Sequence, residues 1–82
     1  MNIRFWATKE VEDRKCPIRY VSYDCDDDGA TVSISHVRAA WLNPDFRSDW
    51  QAFVDSFPEL KSLSFIKGHH ELAFENGAWK ID

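Results

Sequence analysis

The stretch Asn43-Pro44-Asp45-Phe46-Arg47-Ser48-Asp49-Trp50-Gln51-Ala52-Phe53-Val54-Asp55-Ser56-Phe57-Pro58 decides the fold class. Phe46, Trp50, Phe53, Val54 and Phe57 fall at i, i+4, i+7, i+8 and i+11, one stripe of a 3.6-residue period, so the spacing predicts an amphipathic helix closing at Phe57. Asn43 is placed to cap it, Pro44 suits the first helical position, where its missing N–H costs nothing, and Asp45 complements the positive end of the dipole. Pro58 disfavours helical geometry at Phe57 and closes the helix there. Aromatic stripes of this spacing are core-forming, so the helix needs a sheet to bury against.

The flanking sequence supplies strands. Ile3, Phe5 and Ala7 alternate with Arg4, Trp6 and Thr8, the period of a half-buried strand. The charged run 9–15, broken only by Val11 and stopped by Cys16-Pro17, reads as a solvated connection or frayed hairpin arm. Residues 18–23 are β-branched and aromatic, a second strand. After an acidic turn, Val32 and Ile34 resume the alternation, which makes a hairpin. C-terminal to the helix, Leu63, Phe65 and Ile66 suggest a strand ending near Gly68. Asn76-Gly77 is a two-residue hairpin turn, since both positions must take positive φ. Its register pairs Glu75 with Ala78, Phe74 with Trp79, Ala73 with Lys80 and Leu72 with Ile81. That puts Leu72, Phe74, Trp79 and Ile81 on one face, expected to pack on the helix. The expectation is an α+β domain over 1–82: an antiparallel sheet of five or six strands with one amphipathic helix packed on one face, in the order βββαβββ.

With 44% hydrophobic and 15% aromatic residues, the composition is that of a folded chain rather than a disordered one. At 82 residues there is one core and no second domain. Ten Lys and Arg against fourteen Asp and Glu give a formal charge of −4. This is the wrong sign for gripping phosphates, so direct nucleic-acid binding is not expected. An acidic surface suits a protein partner with a basic surface. Cys16 and Cys25 would lie about 30 Å apart along an extended segment, against the ~7 Å a disulfide tolerates. Free thiols and the lack of an apolar signal core or of a ~20-residue apolar span point to a cytoplasmic protein without a membrane partner.

Asp24-Cys25-Asp26-Asp27-Asp28-Gly29 matches the opening of an EF-hand loop, where alternate carboxylates point inward and glycine makes the sharp bend. The match covers six residues. Ser35 stands at the twelfth position, where a bidentate Glu is required, and the flanks read as strands. As a functional feature the turn is either a weak calcium site, which would make a calcium-dependent structural domain, or an acidic contact surface; the ordinary alternative is a solvated turn. No cofactor or metal site is expected: His69 and His70 are adjacent in a strand and point to opposite faces, and neither paired-Cys nor His-x-x-x-His spacing occurs. Phosphate-cradling loops, nucleophile elbows and zinc-protease motifs are lacking, and so thin a domain has little room for an enclosed pocket, so no enzyme is expected.

Two tryptophans lack a core assignment: Trp6 opposes the Ile3, Phe5, Ala7 face, and Trp41 precedes the helix cap. Exposed tryptophans ringed by charge serve as interface anchors; the ordinary alternative is that both cover the second sheet face or the helix entry. The reading of the sequence is therefore a small acidic binding module, an inhibitor in build, using Asp24, Asp26, Asp27 and Asp28 with Trp6 or Trp41 against a basic, nucleic-acid-binding groove of a partner protein. A rival is a subunit that associates, with itself or others, through a sheet edge.

Overall fold

The computed structural model describes residues 2–38 and 45–82. Five strands form one sheet: β1 (Asn2–Ala7), β2 (Tyr20–Cys25), β3 (Gly29–Ser35), β4 (Gly68–Glu75) and β5 (Ala78–Ile81). Two helices, α1 (Lys9–Glu12) and α2 (Trp50–Ser56), and a 3-10 turn over Pro58–Ser62 complete the described structure. The class is α+β, but the order βαββαββ replaces the expected βββαβββ.

In space the strands lie β1-β3-β2-β4-β5. The β2–β3, β2–β4 and β4–β5 pairs are antiparallel, whereas β1 runs parallel to β3. The sheet is therefore mixed, which corrects the purely antiparallel expectation. The physical cause lies in the connections. The tight β2–β3 hairpin makes those strands neighbours, and the longer link 8–19 lets β2 settle one place away from β1, leaving β3 to fill the gap in the same direction as β1. Gly29 makes the close approach possible: a Cβ there would stand 1.9 Å from the Asn2 carbonyl oxygen.

The charged run after β1 is not a frayed arm. The Thr8 N–H extends the ladder to the Ile34 carbonyl (3.0 Å), and the Thr8 carbonyl then accepts from Val11 and Glu12. The resulting turn of helix drops Val11, fully buried, into the core. Arg14, at φ 60°, turns the chain out again.

Helix α2 begins at Trp50, later than the aromatic spacing predicts. Ahead of it the chain runs along the outer edge of β1 instead. The Phe5 N–H donates to the Arg47 carbonyl (2.9 Å) and the Arg47 N–H to the Phe5 carbonyl (2.7 Å). Two sheet-type hydrogen bonds here outcompete helical propensity and cover part of an otherwise open edge. Asn43 and Pro44, the expected cap and first position, lie outside the described residues; Asp49 takes the cap position, without a side-chain capping bond. The C-terminal end is where Pro58 puts it: Phe57 has left helical geometry at φ −127°, ψ 79°.

The core lies between one face of the sheet and the helices. Phe5 meets Phe53 at 4.8 Å between ring centroids, and Phe53 stacks on Phe57 at 4.5 Å. Val21, Val32, Ile34 and Leu60 are sealed beneath them. Residues 63–66 do not form the expected strand. The Tyr23 hydroxyl holds them instead, donating to the Ser64 carbonyl (3.3 Å) and accepting from the Ile66 N–H (3.0 Å), and Phe65 packs edge-on against Tyr23. One phenol thus does what a strand ladder would have done. The C-terminal hairpin has the register derived from Asn76-Gly77, with φ of 52° and 76° at the two turn residues. Its apolar face, however, leans on the 3-10 turn rather than on α2. Trp79 Nε1 donates to the Glu59 carbonyl (3.0 Å), and Ile81 is 86% exposed.

Among the described residues, no helix is long and apolar enough to cross a membrane.

Candidate functional site

The acidic residues sit where the sequence places them, on the β2–β3 tip. Asp24 is the last outward residue of β2, Cys25 next to it is buried, and Asp26, Asp27 and Asp28 are exposed. What the sequence does not show is a division of labour among the carboxylates. Asp26 Oδ1 accepts the N–H groups of Asp28 (2.9 Å) and Gly29 (3.0 Å), while the Asp26 N–H donates to the Gly29 carbonyl (2.9 Å). Asp26 builds the turn, as short acidic side chains do when they bond to backbone two residues on. Asp24 reaches across to His69 on β4 (Oδ1 to Nδ1, 2.9 Å), and Asp27 meets Lys67 at 3.2 Å. The side chains of Asp24 and Asp27 are nonetheless 73% and 87% exposed, so these pairs are screened and weak. Asn2 and Arg4 of β1 line the same shallow depression as Asp24, Asp26 and Asp28.

This geometry departs from an EF-hand. The second carboxylate of the motif is spent on its own turn. Gly29 does not make a sharp bend with positive φ, which among the glycines is confined to Gly68 and Gly77; it is needed for the approach of β1. No three His, Cys, Asp or Glu side chains converge on a common point among the described residues. His69 and His70 point to opposite faces, His69 to Asp24 and His70 to the Lys67 carbonyl (3.1 Å), while His36 bonds Thr8 Oγ1 (3.1 Å) at the far end of the sheet. Cys16 and Cys25 are both free.

The two tryptophans fare differently from the carboxylates. Trp6 is only 5% exposed and lies opposite Ser33, on the sheet face away from the helices. It offers almost no surface to a partner, which corrects the reading of Trp6 as an exposed anchor and agrees with the alternative that it covers the second sheet face. Trp41 lies outside the described residues. The structure does not bring Trp6 to the acidic tip.

The face that carries Trp6 holds a feature that sequence reasoning missed. Trp6, Ser33, Ser22 and Glu71 stand in one row across four strands. Beside this row a cavity of about 190 Å³ is lined by Trp6, Tyr20, Ser22, Arg38, Glu71 and Asp82, among others. The Asp82 N–H bonds the Glu71 carbonyl (2.9 Å), which continues the β4–β5 register by one step and sets the two acidic residues opposite each other, both lining the cavity. Arg38 closes the rim: its guanidinium lies 4.9 Å from the centre of the Tyr20 ring and pairs with Asp82. That hydrogen bond holds the Arg38 pKa above its ordinary value. The signal was present in the sequence, since the Asn76-Gly77 register, extended by one residue, already puts Asp82 opposite Glu71. A larger open groove, about 670 Å³, runs between residues 17–19, Glu59 and the tip of the C-terminal hairpin, with acidic Glu59 and Glu75 facing basic Arg19.

No protein-family model, curated protein or solved structure matches this chain.

Proposed function

We propose that this chain is a small acidic binding module that docks on a basic surface of another protein, with the β2–β3 tip leading. The observation that carries the reading is the pinned turn: with Asp26 bonded to two backbone N–H groups, Asp24, Asp27 and Asp28 are held together at the end of the sheet and face water. Like charges held close in this way gain from a cationic partner. The overall charge of −4 adds long-range attraction of the same sign. Where the partner's basic surface is a nucleic-acid-binding groove, occupation by this module inhibits it. No chemical step is assigned to the chain.

The test is a calorimetric titration with an acetylated oligo-arginine peptide. Neutralising the tip, Asp24→Asn with Asp27→Asn and Asp28→Asn, is expected to weaken binding by about tenfold. A control that neutralises the exposed Asp13, Asp55 and Glu75 removes the same charge elsewhere and is expected to lose far less. Equal losses in the two variants overturn the reading.

A second reading rests on β5. It is a four-residue edge strand ending in the exposed Ile81, and such an edge can pair with another strand. Sedimentation over a range of concentrations tests it; a monomer throughout excludes self-association by this edge.

A further inference from the structure

We propose that the cavity between Tyr20, Glu71 and Asp82 is a receptor for a single arginine side chain of the basic partner, and that Arg38, on its rim, competes for Tyr20 and Asp82 in the free protein. The inference rests on the reading of the chain as a binder of basic surfaces, and gives that surface an anchor point.

Three observations converge. First, the cavity asks for a cation. Glu71 and Asp82 are neighbours across a strand pair, an arrangement of like charges that is unfavourable without a counter-ion. Ser33 and Ser35, which also line it, spend their hydroxyl protons on the carbonyls of Ser22 (3.2 Å) and Val37 (2.6 Å), so their oxygens are left as acceptors. Second, the shape fits a planar cation. About 190 Å³ is below the volume of ordinary small-molecule pockets and matches one side-chain head group. Tyr20 supplies an aromatic face, the surface on which guanidinium groups stack. Third, a guanidinium already sits against two of its walls. Arg38 makes in cis the two contacts a guest would make, over Tyr20 and onto Asp82, while its own side chain is 64% exposed. The Asp82 side chain is 22% exposed, so the cation can swing into water while the carboxylate stays at the cavity wall.

The cavity is continuous with the tip. On β2 the outward positions run Asp24, Ser22, Tyr20, and on β4 they run His69, Glu71, with Asp24 opposite His69 and Ser22 opposite Glu71. Successive outward positions are about 7 Å apart. An extended basic segment crossing this face thus meets Asp24 and then Glu71 and Asp82, with the arginine side chain turned into the cavity.

The test uses N-acetyl-arginine methylamide, followed by the amide and indole signals of the isotopically labelled full chain. Shifts are expected at Trp6, Tyr20, Ser22 and Glu71. Arg38→Gln removes the internal competitor and is expected to tighten binding by about two- to fivefold, the scale on which an exposed pair competes. Glu71→Gln and Asp82→Asn are each expected to weaken it. The lysine analogue is expected to bind more weakly, because it lacks the planar face for Tyr20. The proposal is overturned by absence of shifts around the cavity, or by affinity that is the same in wild type, Arg38→Gln and Glu71→Gln. The tip variant separates the two claims. If it loses oligo-arginine binding while the cavity shows no shifts, the module reading stands and the receptor falls. If cavity shifts persist while tip neutralisation has no effect, the receptor stands and the tip does not lead.

Discussion

Gly29 and Asn2 touch across the parallel pair so closely that no side chain fits between them: a Cβ on Gly29 would meet the Asn2 carbonyl oxygen at 1.9 Å and its carbon at 2.9 Å. Both atoms belong to backbone and cannot rotate away. Gly29→Ala is therefore expected to destabilise the domain by about 2–3 kcal/mol, the upper range of overpacking costs, by prising the start of β1 from β3. Urea unfolding measures it. An unchanged midpoint would mean that β1 does not pair with β3 in this register.

Asp26 is expected to behave differently from the other tip carboxylates. Asp26→Ala removes the acceptor of two backbone N–H groups and should cost about 1 kcal/mol. Asp26→Asn keeps an oxygen in the same place and should cost little. Asp24→Asn and Asp27→Asn give up only weak, exposed pairs with His69 and Lys67, and Asp28→Asn only exposed charge, so all three should leave stability unchanged or slightly raised. Thermal unfolding of the five single variants checks the order, and an equal effect of Asn and Ala at position 26 would contradict it.

The core prediction separates two aromatics of α2. Phe53 is buried against Phe5 and Phe57, whereas Trp50 is half-exposed and meets Phe5 edge-on at 5.4 Å. Phe53→Ala is expected to cost about 3–5 kcal/mol, and Trp50→Ala less, about 2 kcal/mol. Denaturant unfolding decides, and a larger loss at Trp50 would contradict the packing described.

Arg47 staples the entry of α2 to β1. Its guanidinium grips both oxygens of Asp49 (3.0 and 2.6 Å) and one of Glu12 (2.6 Å), and lies 5.1 Å from the ring centres of Phe5 and Phe53. The hydrogen bonds from Arg47 hold the Asp49 carboxyl below its usual range. A carboxyl depressed in the folded state stabilises above its unfolded pKa of about 4 and loses that contribution as pH falls through the folded value. Arg47→Met keeps some of the apolar contact and loses the charge. It is expected to cost about 1 kcal/mol at neutral pH, with the gap to wild type narrowing below about pH 4. A gap independent of pH would show that packing alone accounts for the effect.

How much of this was legible depends on how local the determinant is. The C-terminal register followed from two residues, because few sequences besides Asn76-Gly77 accept positive φ twice in succession. The end of α2 followed from Pro58 for an equally local reason. The neighbour of β1 did not: alternation shows that 2–7 form a strand but carries no information on which edge they join. Gly29 held that information, in a guise indistinguishable from a turn glycine. Phe46 kept the helical spacing and still left the helix, since the backbone bonds at Arg47 depend on a strand more than 40 positions away in sequence. At the site, the exposure of Asp24, Asp27 and Asp28 was legible from charge and the turn; the role of Asp26 is set by the backbone of its own hairpin, which charge patterning does not report, and the partners His69 and Lys67 depend on β4 docking beside β2. The burial of Trp6 depends on the second face of the sheet, whose cover a strand pattern does not specify.

The central claim is that the tip steers the chain onto basic surfaces, and the rate of association reads it most directly. Stopped-flow mixing with a fluorescent oligo-arginine peptide, repeated from low to physiological salt, compares wild type with the variant carrying Asn at positions 24, 27 and 28. The account predicts that the wild-type rate is faster at low salt and falls steeply as salt shortens the ~10 Å screening length, and that the variant is slower and nearly flat. Equal rates and equal salt slopes for the two proteins would contradict it and leave the acidic tip as a solvated hairpin turn.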